Sequence, residues 1–135
     1  MATIAWTDDL TIDGSQIDFQ HRQLIDAIAD LQDALASGDR PRVAAAAPFL
    51  RLYAQVHFSD EERVLELIAW PGRAEHRRQH DGFRSRLDEF EGAVARGELA
   101  AGAGLLGFLA AWLQAHIRGS DRQFAAEVRA LRQRR

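Results

Sequence analysis

Apolar residues return along this chain at steps of three and four, and no segment alternates at a period of two. Ile17, Leu24, Ile28, Leu31 and Leu35 share one helix face with His21, and that face ends near Ser37-Gly38. A second face runs through Leu50, Tyr53, His57, Glu61, Val64, Leu65 and Ile68. Pro41 suits its first turn, and Pro48 is expected either to kink it or to mark its true beginning. Trp70-Pro71-Gly72 is a firm break. A third face follows through His76, His80, Phe83, Leu87, Phe90 and Val94, stopping at Arg96-Gly97. The fourth holds Leu105, Leu106, Leu109, Trp112, Leu113, His116 and Ile117. Gly102, Gly104 and Gly107 each weaken its first half by ~1 kcal/mol relative to alanine, so packing must compensate. Phe124, Val128 and Leu131 suggest one more short helix.

This pattern predicts an all-α protein, an antiparallel up-down-up-down four-helix bundle. The expected bundle helices lie at about 16–37, 41–69, 74–96 and 98–119, with a C-terminal helix at about 120–132. Residues 1–15 read as an ordered or semi-ordered N-terminal arm with turn signals at Asp8-Asp9 and Asp13-Gly14-Ser15. The 135 residues suffice for one domain with a real core, so 1–135 reads as a single unit.

Composition narrows the chemistry. The net charge of −3 argues against nucleic acid as a partner. All 17 basic residues are arginine and are dispersed, apart from an Arg132–Arg135 end expected to be a frayed terminus. Cysteine is absent, which excludes disulfides, thiolate zinc sites, iron–sulfur clusters and covalent c-type haem together. Any metal must be held by nitrogen and oxygen. The N-terminus lacks a basic start followed by a long apolar run, so no signal peptide is expected. No stretch reads as a membrane span. The expected compartment is the cytoplasm.

The five histidines, His21, His57, His76, His80 and His116, all fall on inward helix positions, beside the carboxylates Glu61 and Asp121. His57 and Glu61 are four apart, as are His76 and His80, which offsets each pair by only ~40° around its helix. One helix can then give two ligands to one metal. Asp121 is less regular: five residues beyond His116 is ~140° of rotation, away from the core on an ideal helix. A distortion at Gly119-Ser120, a widened π-type turn or a helix end, is therefore expected. Five imidazoles, two bridging carboxylates and a bridging oxide or hydroxide leave roughly one position open on two octahedral ions, a donor set that suits iron. Manganese, cobalt or zinc could substitute in vitro. Ferritin-like sites use Glu-x-x-His pairs, which these histidines lack. His-Glu-x-x-His, the zinc hydrolase pattern, is missing too. A haem bundle would leave histidines unexplained, and a metal-free bundle is separated by metal analysis. Asp60, Glu62 and Asp81 read as solvated charges. Asp18 and Gln20 read as groups beside His21, as helix caps or as exposed residues. Tyr53 lies one turn before His57.

The strings Ile17-Asp18-Phe19-Gln20-His21, His57-Phe58-Ser59-Asp60-Glu61-Glu62, His76-Arg77-Arg78-Gln79-His80 and His116-Ile117-Arg118-Gly119-Ser120-Asp121 resemble, in order and spacing, the signature of the hemerythrins. The resemblance runs from Trp6 to Asp121 and is to the single-domain bacterial members. It implies a non-haem di-iron centre that binds dioxygen reversibly. His76, His80 and His116 would hold one iron, His21 and His57 the other, and Glu61 and Asp121 would bridge them. Dioxygen would bind at the two-histidine iron and draw two electrons from the pair. The resemblance assigns the oxygen pocket to Leu24, Phe58, Trp112, Leu113 and Ile117, which would also be core residues. Trp70 stands where tyrosine or phenylalanine is usual, which affects local packing only. The implied role is an oxygen carrier, store or supply protein, not an enzyme. The alternative is an oxygen or redox sensor, or a scavenger with weak peroxide or nitric oxide reduction. An oxidase or signalling protein is the implied partner, and a monomer or weak oligomer the implied state.

Overall fold

The computed structural model describes residues 4–12 and 16–134. Asp13-Gly14-Ser15 and Arg135 lie outside the described residues. The elements are a 3₁₀ turn at Asp8–Leu10, then α1 (Gln16–Ala36), α2 (Arg40–Leu67), α3 (Arg73–Ala95) and α4 (Leu99–His116). A π-helical turn at Ile117–Asp121 leads into α5 (Arg122–Gln133). No strand occurs among the described residues.

The helix ends have local causes. Gly38 at φ 67° and Gly97 at φ 73° close α1 and α3 in the left-handed region, where glycine avoids the Cβ clash. Asp39 then caps α2, its carboxylate accepting from the Arg42 amide at 3.1 Å. Pro41 occupies the first turn, where its missing N–H costs no bond. Pro48 lies inside α2 and does not begin it. Ala44 and Pro48 are both exposed, so the carbonyl left without its amide donor lies on the solvent side of the helix.

α1 packs against α2 and α4, and α3 against α4 and α2, so the four helices close a ring in chain order. This is an all-α four-helix bundle. Its two ends differ in chemistry. Leu31, Leu35, Leu50, Phe90 and Leu106 fill one end with apolar side chains. At the other, the first turns of α1 and α3 meet the last turns of α2 and α4, which brings all five histidines to one level.

The expected C-terminal helix is present as α5, and α4, the π turn and α5 follow one another as one continuous rod from Leu99 to Gln133. That rod is long and apolar enough, by length and composition, to cross a membrane. Its apolar residues Leu106, Leu109, Leu113 and Ile117 are instead buried in the bundle core. The arm is tied to the bundle over residues 4–12, as expected of an ordered arm: the Ile4 amide donates to Gln32 at 2.8 Å, and Arg118 and Arg129 bond Asp9 and the Ile12 carbonyl.

Gly104 lies on the exposed side of α4, and a Cβ added there would meet nothing within 4 Å. Gly104→Ala is expected to stabilise the protein by ~1 kcal/mol by removing backbone freedom from the unfolded chain. Thermal denaturation would show this as a rise of roughly 3 °C.

Candidate metal centre

Each of the seven side chains singled out in the sequence is at most 4% exposed, and the structure brings all of them together. Their donor atoms form two overlapping groups, and within each all atoms lie within 4.8 Å of one another. One group holds Glu61, His76, His80, His116 and Asp121; the other holds His21, His57, Glu61 and Asp121. The carboxylates belong to both.

They are shared atom by atom. Glu61 Oε1 touches His76 Nε2 and lies 3.2 Å from His80 Nε2, whereas Glu61 Oε2 lies 3.1 Å from His57 Nε2. Asp121 Oδ1 lies 3.2 Å from His76 and 3.1 Å from His116, and Oδ2 lies 2.9 Å from His21. Each carboxylate therefore divides its two oxygens between the three-histidine group and the two-histidine group.

Asp121 reaches this position because the chain widens just before it. The π turn spans Ile117–Asp121 and absorbs the rotation that a regular helix would have imposed. The Asp121 side chain is fully buried. α5 then resumes with Phe124 and Ala125 inward.

The far nitrogen of four imidazoles is held by a polar side chain. His57 Nδ1 donates to Gln20 Oε1 at 2.7 Å, and His116 Nδ1 to Gln79 Oε1 at 2.7 Å. His80 Nδ1 donates to Glu62 at 2.8 Å, and His76 Nδ1 meets the Ser120 hydroxyl at 2.6 Å. These bonds set the tautomer, leaving each Nε2 lone pair directed inward. The His21 Nδ1 is buried with no hydrogen-bond partner.

Three polar expectations change here. Gln20 serves His57, not His21, because one residue is ~100° of turn and points it across to α2. Its Nε2 donates to Asp60 Oδ2 at 3.0 Å, so Asp60 is not simply solvated. Glu62 is also no free surface charge: it is half-buried against His80 and pairs with Arg84 at 3.0 Å. Asp81 is exposed, as expected, and pairs with Arg84. Asp18 is buried and accepts from the Ile12 amide at 3.0 Å. Tyr53 packs against the core. Gln79 and Ser120 were not singled out as partners, since a lone polar residue beside a histidine gives no periodic signal.

Leu24, Phe58, Leu113 and Ile117 are fully buried in the same core cluster. Phe58 stacks on His80 with ring centroids 4.0 Å apart, and half-buried Trp112 stacks on His116 at 4.5 Å. Both rings thus lie against the three-histidine group.

Burial alone would raise the carboxyls and lower the imidazoles, yet mutual pairing overrides it. Glu61 is held down at about 2 by His57, His76 and His80, against burial and the nearby Asp121 charge. Asp121 is held well below the ordinary carboxylate range by His116, His21 and His76. His76 is raised to about 9 by Asp121 and Glu61, and His57 is raised by Glu61. Protons on imidazoles balance the two anions, the task a cation would otherwise perform.

Even so, the set is incompletely satisfied. The Nε2 atoms of His21, His57, His80 and His116, Glu61 Oε2 and both Asp121 oxygens are buried without a hydrogen-bond partner. Buried nitrogen and oxygen atoms that converge without hydrogen-bond partners are what cations fill, and a thiol-free nitrogen–oxygen set suits iron. The residues fit a pair of metal ions.

Comparison with known proteins agrees. The Hemerythrin HHE cation binding domain model matches residues 14–128. The chain belongs to the hemerythrin family. Its relatives include the bacteriohemerythrin of Stenotrophomonas maltophilia, 35% identical over 130 residues, covering 96% of this chain and 84% of that protein. The bacteriohemerythrin of Pseudomonas aeruginosa is 32% identical over 129 residues, covering 96% and 84%. That of Methylococcus capsulatus is 25% identical over 125 residues, covering 92% and 95%. The hemerythrin family explains why so small a chain commits every histidine to one end of its bundle.

Proposed function

We propose that this protein binds dioxygen reversibly at two irons bridged by Glu61, Asp121 and an oxide or hydroxide. His76, His80 and His116 hold one ion, and His21 and His57 hold the other. The single observation that carries this reading is the division of each carboxylate's oxygens between the two histidine groups. Iron held by these residues would supply the two electrons that dioxygen draws, and the two-histidine group, with fewer protein ligands, would leave the open position.

The protein's own contribution is to hold and to shield. The bridging carboxylates set the spacing of the two ions. Gln20, Gln79, Glu62 and Ser120 fix imidazole orientation. Leu24, Leu113 and Ile117 keep the interior dry, and Phe58 and Trp112 lock the His80 and His116 rings. Histidine-rich ligation in an apolar shell favours holding oxygen over activating it. The reading is therefore a cytoplasmic binding protein, an oxygen carrier or store, rather than an enzyme.

The test is anaerobic loading with ferrous iron, then oxygenation, then degassing. A visible charge-transfer band that appears and disappears over repeated cycles is the expected result. A band that appears once, with oxygen consumed irreversibly, rejects reversible binding. Leu113→Ala should admit water and speed autoxidation by about tenfold, a loss of roughly 1.4 kcal/mol in the barrier. An unchanged autoxidation rate would remove Leu113 from the shielding role.

A further inference from the structure

A cavity of about 450 Å³ lies between the first turn of α1, the last turns of α2, and α5. It reaches the surface beside Gln16, Arg63 and Arg132, which are exposed. Its inner end is His57 and Glu61, both members of the two-histidine group. The walls between are largely apolar, with Ile17 and Val64 facing Phe124 and Val128. Gln20 lines the cavity while its amide spans from His57 to Asp60. The opposite flank is sealed, since Leu24, Phe58, Leu113 and Ile117 are all 0% exposed.

Charge at the mouth is unequal. Arg63 and Arg132 line the cavity together with one carboxylate near the surface, Asp60, which accepts a hydrogen bond from Gln20. Glu61 lies at the floor among the candidate ligands rather than at the mouth. The mouth is thus net positive in an acidic protein of net charge −3. A low-dielectric cleft rimmed by one sign of charge concentrates ions of the other sign.

We infer that this cavity is the port through which water and small anions reach the two-histidine half of the centre, with Arg63 and Arg132 drawing the anions in. The inference rests on the di-iron reading above. A port differs from a binding site in a measurable way. Narrowing it slows arrival and departure alike and leaves the equilibrium constant in place. A binding site loses affinity when it is filled.

The experiment follows azide binding to the full-length, iron-loaded ferric protein by stopped-flow absorbance, with the iron content of each variant measured first. Val128→Trp fills the cavity from α5 and is expected to lower the association and dissociation rates together by about tenfold, with Kd held within about twofold. Val64→Phe narrows the cavity from α2 and keeps the test in force if the tryptophan variant fails to fold. Arg63→Gln combined with Arg132→Gln should slow azide by about threefold to tenfold at low salt and abolish the salt dependence of its association rate. Dioxygen, being neutral, should associate at the parent rate in that double variant. Two irons with unchanged azide rates in both cavity-filling variants would overturn the port and leave the di-iron reading standing. A change in Kd alone would also overturn it, in favour of a binding site. Fewer than two irons per chain in the parent protein would remove the di-iron reading and the port with it.

Discussion

Glu61→Ala is expected to reduce the iron content of the loaded protein from two ions per chain to one or none. Glu61 is in both donor groups, with Oε1 among His76 and His80 and Oε2 against His57. On the di-iron reading, its removal takes a ligand from each ion at once and leaves Asp121 as the one remaining carboxylate bridge. The two-histidine ion should be lost first, because it would keep His21, His57 and a single carboxylate oxygen. Affinity there should fall by more than the ~10–100-fold seen when a group supporting a metal ligand is removed. Glu62→Gln is the matched control. It touches His80 only through Nδ1, and the amide oxygen can still accept that bond. The control should retain both ions, and metal analysis with circular dichroism on the two variants checks the pair. Two irons retained in Glu61→Ala would reject the shared role of this carboxylate. Equal loss in both variants would point to general unfolding of the α2–α3 contact.

Stripping the iron should lower the melting temperature by about 15 °C, the effect of ~4 kcal/mol of linkage on a domain of this size. The cause is the set of buried nitrogen and oxygen atoms with no hydrogen-bond partner, each of which costs free energy when left without a cation. The gap should also depend on pH in a defined direction. In the metal-free protein His76 is raised from 6.5 to about 9, so its pairing stabilises fully below pH 6.5 and is lost as pH rises through about 9. Glu61 is lowered from 4.5 to about 2, so its contribution is present above pH 4.5 and is lost as pH falls through about 2. On these two groups the metal-free form is most stable between 4.5 and 6.5. Metal competes with the same protons, so loading strengthens as pH rises. Calorimetry at about pH 6 and about pH 8 should find the difference between loaded and stripped protein wider at the higher value. A gap that narrows would mean that His76 does not exchange a proton for metal.

Much of the architecture was legible because helix formation is a local, periodic matter. Leu24, Ile28, Leu31 and Leu35 mark the buried face of α1 by spacing alone, and the structure buries all four. Spacing also showed that His57 with Glu61, and His76 with His80, share a face. The most demanding expectation concerned Asp121, which a regular helix would have turned outward. A distortion was expected at Gly119-Ser120, either a widened turn or a helix end, and the π turn at Ile117–Asp121 supplies the first. Pro48 was harder to place, since whether a proline starts or interrupts a helix depends on where the freed carbonyl points.

Sequence by itself determined the helical class, the inward set of five histidines and Glu61, and the need for a distortion if Asp121 is to join them. Those follow from rotation per residue along one chain, which is the same wherever the helix is placed. Only the tertiary structure decided which oxygen of each carboxylate faces which histidines. It likewise decided that Gln20 serves His57 and Glu62 serves His80, that α5 continues the rod of α4, and that the centre is approached between α1, α2 and α5. Those are distances between residues 15 to more than 100 positions apart. They are set by how the helices are rotated and stacked against one another, which no local repeat encodes.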